Sequence, residues 1–297
     1  VPAASGRDQR PAAGDRPGQT RWTASEAPQA TLEQLELAHA ACYVLERMDV
    51  MRDARGRRDP RGRPRYLGGH PAPGAALALG RRRGGRDRRR AVRAELENAF
   101  CAVRPPGHHA TRDQAMGFCF FNNVAVAARH ALDAHGLQRV AIVDFDVHHG
   151  NGTEDIIAGD ERVLMVSFFQ HPLYPFSGGA AEWAPTWSTC RCRPTRAGPQ
   201  VRELIEMMWM PRLEEFRPQM IFISAGFDAH REDDMGQLGL VEADYEWITA
   251  GIKAWPSATL GAHRVLPRGR LQPERAGAQR RRASARAGRH VAAAWRW

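Results

Sequence analysis

A chain of 297 residues suits one large α/β domain with a substantial core; no apolar run approaches the ~18 residues of a membrane span, and no signal-peptide apolar region opens the chain. Five cysteines (Cys42, Cys101, Cys119, Cys190 and Cys192) form no paired framework, which points to a reducing cytoplasm, while one lysine against 42 arginines, with abundant Ala and Gly, suggests a GC-rich bacterial genome. The net charge of +10 resembles a nucleic-acid footprint, but 25 of the arginines lie in 52–93 and 263–297, whereas residues 94–262 carry 13 basic and 22 acidic side chains, which argues against a nucleic-acid partner.

Residues 1–30 are rich in Pro, Gly, Ala and Arg without periodicity and read as disordered. Thr31-Leu-Glu-Gln34 is a capping-box pattern that opens a predicted helix from Leu32 to about Met48. The Arg-rich stretch 52–93 has no composition of a packed element. Asn98 to Val103 reads as a short strand leading into Arg104-Pro-Pro-Gly-His-His109. Gly117-Phe-Cys-Phe-Phe-Asn-Asn123 leads into a helix from Asn123 to His135, closed by Gly136. Val140-Ala-Ile-Val-Asp144 is a β-branched apolar run, the signature of a strand buried on both faces, and Arg162 to Phe168 is another. Residues 183–199 read as irregular. A helix is expected over Val201 to Phe216 with a kink or break at Pro211. Met220 to Ser224 is a buried strand, Asp244 to Lys253 a helix, and from Trp255 the pattern dissolves into an Arg-rich tail, 263–297. Strands alternating with helices predict a parallel sheet with right-handed crossovers, in a domain spanning 31–262 whose stretches 52–93 and 183–199 are aberrant.

Three segments place ligand or acid–base groups just after predicted strands: His108 and His109; Asp144, Asp146 and His148; and Asp228. Asp146 and His148 stand two residues apart, so in an extended chain they point the same way. With Asp228 they offer an O, N, O donor set with a position open for water, which suits a catalytic metal better than a structural one. Each group also has a plainer reading. A His-His pair is commonly a turn or surface feature, Asp228 alone suits a helix cap, and Asp144 alone suits a buried hydrogen-bond acceptor.

Four segments together resemble the motif series of the histone deacetylase family, which includes bacterial acetylpolyamine amidohydrolases. They are Arg104-Pro-Pro-Gly-His-His-Ala110, Gly117-Phe-Cys-Phe-Phe-Asn-Asn123, Val143-Asp-Phe-Asp-Val-His-His-Gly-Asn-Gly152 and Ser224-Ala-Gly-Phe-Asp-Ala-His230, in family order and at family-like spacing. The similarity is greatest to the class II-like bacterial members and covers 31–51 and 94–250. It implies an arginase-like three-layer α/β fold around a mostly parallel sheet of about eight strands. It implies zinc held by Asp146, His148 and Asp228, and His109 as general base with His108 as its electrostatic or acid partner. Asp144 is then expected to orient a catalytic histidine and, with Ser167, Phe168 and backbone carbonyls of Asp146 and His148, to form a structural potassium site. Gly117, Phe118 and Tyr174 are expected to line the channel for an acetyl-lysine stem, and His149 to pack without ligating. The implied reaction is hydrolysis of an acetylated lysine side chain or acetylpolyamine to acetate and free amine. A bacterial source argues against histones as the substrate. Rival readings are a binuclear manganese hydrolase of arginase type, which needs more convergent carboxylates than these, and an inactive protein binding acetylated ligands.

The chain departs from the family pattern at its C-terminal part. The resemblance leads one to expect a Gly-Gly-Tyr turn whose tyrosine steadies the oxyanion, together with the strand that carries it, and none of the four tyrosines stands in such a turn. Frame-shifted translation would account for this. Degenerate codons for His263 to Pro273, read one base later, can spell Ile-Val-Ser-Cys-Leu-Glu-Gly-Gly-Tyr-Asn-Leu, and shifted readings near 63–67 and 186–194 also restore family-like text. The gene is therefore expected to encode Cys-Leu-Glu-Gly-Gly-Tyr across codons 266–272 in another frame. Nucleotide sequencing that finds no such reading ends this explanation.

Overall fold

A computed structural model describes residues 30–54, 101–102, 105–178, 187–254 and 294–295. The expectations for 1–29, most of the Arg-rich stretches, and Arg104 lie outside the described residues. Among the described residues, four parallel strands form the central sheet: β2 (Val140–Asp144), β3 (Val163–Gln170), β4 (Trp187–Cys192) and β5 (Met220–Ser224), in the order β4-β3-β2-β5. A separate parallel pair joins β1 (Cys101–Ala102) to β6 (Ala294–Trp295), the latter inside the tail that was expected to hold no element.

Alternation along β2 divides the core into two layers. Ala141 and Val143 face one side with Leu164, Val166, Ile221 and Ile223; Val140 and Ile142 face the other with Val163, Met165 and Phe222. Onto the first side pack α5 (Gly198–Leu204), a π-turn (Ile205–Trp209), α6 (Met210–Phe216) and α7 (Glu242–Lys253), through Val201, Trp209, Leu213, Tyr245 and Ile248. Onto the second pack α3 (Asn123–Asp133), through Val124, Ala128 and Leu132, and Ile157 of α4 (Asn151–Ile157). Helices on both faces of a parallel sheet explain why β2, β3 and β5 read as largely apolar runs.

Three elements differ from the sequence expectation, each for a local reason. The single helix over 32–48 is two, α1 (Leu32–Glu36) and α2 (Ala41–Ala54), because the Ala40 N–H donates across the fold to Arg112 O at 2.9 Å and not along the helix. Residues 187–192, taken as irregular, form β4; Ser188, Cys190 and Cys192 are buried, the cysteines in the first core layer, while Trp187, Thr189 and Arg191 alternate with them and Trp187 packs against the second layer, a period of two hidden by the polar type of the buried residues. Pro211 breaks no helix. It sits in the first turn of α6 just after the π-turn, where Met210 N–H reaches back five residues to Ile205 O, and the widened register absorbs the missing proline donor.

The π-turn also aims Trp209 into the core. It is fully buried, stacks on Phe168 at 5.7 Å between ring centroids, and donates from Nε1 to Ser167 O at 3.3 Å. Trp209→Ala is expected to lower the unfolding free energy by about 3–5 kcal/mol. Urea titration checks this, and a loss below about 0.5 kcal/mol, the range of surface substitutions, contradicts it.

Candidate active site

The strand order places the site. The chain runs from β2 to β3 to β4 in one direction, then returns to β5 on the other flank of β2. Loops leaving the carboxyl ends of β2 and β5 therefore diverge, and the crevice between them is where open α/β sheets bind ligands. Asp144 lies level with Ser167 of β3 and Ser224 of β5, so β2 and β5 end at one height while β3 runs on to Gln170. Asp146 and His148 follow β2; Asp228 follows β5. The two loops touch: Val147 N–H donates to Asp228 Oδ1 at 2.9 Å, and any side chain at Gly226 would overlap Asp146.

The structure brings Asp146, His148 and Asp228 together, with one ligand atom from each within 4.8 Å of the others. His148 Nδ1 lies 2.9 Å from Asp146 Oδ1 and 3.0 Å from Asp228 Oδ2. Burial works against a charged ring, but hydrogen bonds to these two carboxylates outweigh it and push the His148 pKa up to about 10. Burial, reinforced by the Asp146 charge, raises Asp228 to about 6, while Asp146, despite its burial, is held well below the usual carboxylate range by His108 and His148. The donor set fits a divalent cation: two carboxylates and one imidazole nitrogen, little exposed, aimed at one point, with charge that burial leaves costly unless it is neutralised.

Beside this cluster stand His108 and His109, their ring centroids 4.0 Å apart, both almost fully buried. His108 Nδ1 meets Asp144 Oδ2 at 3.0 Å, and its Nε2 lies 3.8 Å from Asp146 Oδ1. His109 Nδ1 meets Asn151 Oδ1 at 2.9 Å, while the Asn151 amide nitrogen donates to Met116 Sδ. An amide oxygen only accepts, so the His109 proton sits on Nδ1 and its Nε2 is bare. Burial and the neighbouring His108 push the His109 pKa down to about 2. Asp144 accepts the Asp146 N–H through its other oxygen at 3.1 Å, joining the His108 anchor to the ligand loop. Asn151, whose sequence signal was only a polar residue between two turn glycines, is the partner the sequence reading missed.

The remaining candidates fall in two places. Ser167 and Phe168 are buried on β3, where the Ser167 hydroxyl donates to Phe168 O at 3.2 Å. Gly117 packs on the His109 ring and Tyr174 lies 5.1 Å from it, while Phe118 is 66 % exposed. Phe176, which the sequence reading did not single out, is 76 % exposed, and it shares with Phe118 a left-handed backbone, φ 63° and 61°. His149 turns away to Ser177 Oγ, at 2.7 Å, and packs on Phe169.

Residues 14–267 match the model of the histone deacetylase domain family. The chain belongs to the histone deacetylase family. Among curated relatives of this histone deacetylase-family chain, the histone deacetylase-like amidohydrolase of Pseudomonas aeruginosa is 36 % identical over 233 residues, covering 76 % of this chain and 60 % of the relative. A probable deacetylase of Methanothermobacter thermautotrophicus is 44 % identical over 157 residues, covering 50 % of this chain and 47 % of its own. The chain thus spans about half the length of the curated relatives it matches. The crystal structure of the HDA15 HD domain superposes with a TM-score of 0.71 at 26 % identity, over 89 % of this chain and 75 % of that one. An acetylpolyamine aminohydrolase from Burkholderia pseudomallei superposes with a TM-score of 0.71 at 23 % identity, over 90 % of this chain and 86 % of that one, a likeness of fold. The four-stranded parallel sheet is the central part of this arginase-like deacetylase fold. Among the described residues no helix is long and apolar enough to cross a membrane.

Gly117 and Gly136 give a matched test of the site's tightness. Both have positive φ, 55° and 69°, but a side chain at Gly117 would overlap the His109 ring whereas Gly136 faces open space. Gly136→Ala is expected to cost only the backbone penalty of about 1–2 kcal/mol. Gly117→Ala is expected to cost more, read by chemical denaturation; equal losses contradict the packing of Gly117 on His109.

Proposed function

We propose that this chain is a metal-dependent amidohydrolase that removes acetyl groups from acetylated lysine side chains or acetylpolyamines. The observation that carries this reading is the convergence of Asp146, His148 and Asp228 next to a histidine whose Nε2 is bare. Zinc held by those three groups would supply a Lewis acid that acidifies water and polarises the substrate carbonyl. Burial and the neighbouring His108 keep His109 neutral, so its Nε2 is free to accept a proton from the attacking water. Asn151 keeps His109 in the Nδ1–H form that leaves Nε2 free. Asp144 orients His108, whose Nε2 faces the ligand loop and steadies negative charge there or returns a proton to the leaving amine. Gly117, Phe118 and Tyr174 form the wall along which an alkyl stem enters, and Phe176 joins them. A structural potassium ion is assigned to Asp144, the Ser167 hydroxyl and the carbonyls of Asp146, His148 and Phe168, at the buried junction of β2 and β3.

Turnover is expected to be low. The four tyrosines are Tyr43, Tyr66, Tyr174 and Tyr245, none in a Gly-Gly-Tyr turn, and loss of one oxyanion donor typically costs ~10²–10³ in rate. The expected result is slow release of acetate from an acetyl-lysine peptide or an acetylpolyamine, below roughly 1 s⁻¹, abolished by a chelator and by His109→Ala. Hydrolysis that survives both treatments contradicts the assignment. Turnover at or above roughly 1 s⁻¹ contradicts the impairment. Saturable binding of the acetylated peptide without any acetate release favours a ligand-binding protein on the same fold.

A further inference from the structure

His39 belongs to none of the four motif segments, yet the turn between α1 and α2 buries it almost completely, at 2 % exposure. Both ring nitrogens are engaged across the fold. Nδ1 lies 2.9 Å from Thr111 O, and Nε2 accepts the Asn122 N–H at 2.9 Å. A carbonyl only accepts and a backbone N–H only donates, so the ring must be neutral with its proton on Nδ1. Burial agrees, pushing its pKa down to about 4. Next to it, the Ala40 N–H donates to Arg112 O at 2.9 Å, so residues 39–40 grip 111–112 at two points. Tyr43 and Phe121 close over the ring at 5.4 and 5.5 Å.

The segment so gripped is the one that carries His108 and His109. It is also held from its other sides. Asn122 Nδ2 donates to Ala110 O at 3.2 Å and to Thr153 Oγ1 at 3.1 Å, and Thr153 N–H donates to His108 O at 3.0 Å. Side chains at Gly107 or Gly152 would overlap backbone of 121–123 and 109–110 respectively, so these contacts leave no slack. Asn151, which fixes the His109 ring, is two residues from Thr153 on the same helix.

We propose that His39 is a positioning residue for the His108–His109 pair. Its ring ties the backbone just after the pair to the Asn122 backbone, and so keeps His109 Nδ1 seated on Asn151. The catalytic consequence rests on the amidohydrolase reading above; the seating of His109 does not.

The test is ¹⁵N NMR of the full chain labelled at histidine, with His109 signals identified by their loss in His109→Gln. The unsubstituted chain is expected to show His109 as a single neutral form protonated on Nδ1. His39→Phe is expected to give a mixture of Nδ1–H and Nε2–H forms, and to lower kcat about 10²-fold with KM and zinc content unchanged, as displacement of a reacting group does. An unchanged His109 signal in a folded His39→Phe chain overturns the proposal. Should His39→Phe fail to fold, His39→Asn and His39→Gln decide. Each keeps one of the two bonds, Asn the Thr111 side and Gln the Asn122 side, and so breaks the tie; both are expected to mix the His109 forms, and a single Nδ1–H form in either folded variant overturns the proposal. An unsubstituted chain with no turnover sinks the amidohydrolase reading and leaves the spectra to judge His39.

Discussion

Two carboxylates and an imidazole meet at one nearly dry point between the ends of β2 and β5, and their mutual electrostatics constrain everything around them. Asp146 and Asp228 repel each other, which is why burial and like charge raise Asp228 while His108 and His148 hold Asp146 low. In the absence of a cation the His148 ring has to carry a proton to sit at about 3 Å from both. Buried like charges persist in a folded protein when something compensates them, and a divalent ion at the point of convergence does so better than one ring proton.

The strand topology is what allows that convergence. Reversal of the strand order about β2 opens a crevice, and small residues let its walls approach: Gly226 against Asp146, Gly150 against Asp144, Gly117 against His109. The histidine pair is then seated by hydrogen bonds that come from three separate places, Asp144 on β2, Asn151 on α4, and the backbone network around Asn122 and His39. The site is thus made rigid by backbone contacts as much as by side chains, in keeping with a reaction that depends on position and preset charge.

The site's charged groups were legible in the sequence because they stand beside apolar runs that read as buried strands, Val140–Asp144 and Met220–Ser224, and because the four motif segments resemble the histone deacetylase series; the runs alone left plainer readings open. The residues that orient them were not. Asn151 looks like a turn residue, and His39 looks like one more polar position on an amphipathic helix; their roles come from partners 42 and 72 residues away. The same non-local cause splits α1 from α2. β4 escaped notice because Ser188 and two cysteines, not branched aliphatics, fill its inward positions. Pro211 announced an irregularity, but not that a π-turn would absorb it and turn Trp209 into the core.

The central claim, that the buried charge of Asp146, His148 and Asp228 exists to hold one divalent ion, is tested most directly by titrating zinc into the metal-stripped full chain by calorimetry. One zinc per chain is predicted, with proton release as His148 gives up its proton, and loss of that binding in Asp228→Asn. A chain that takes up no zinc, or binds it equally well as Asp228→Asn, contradicts the account.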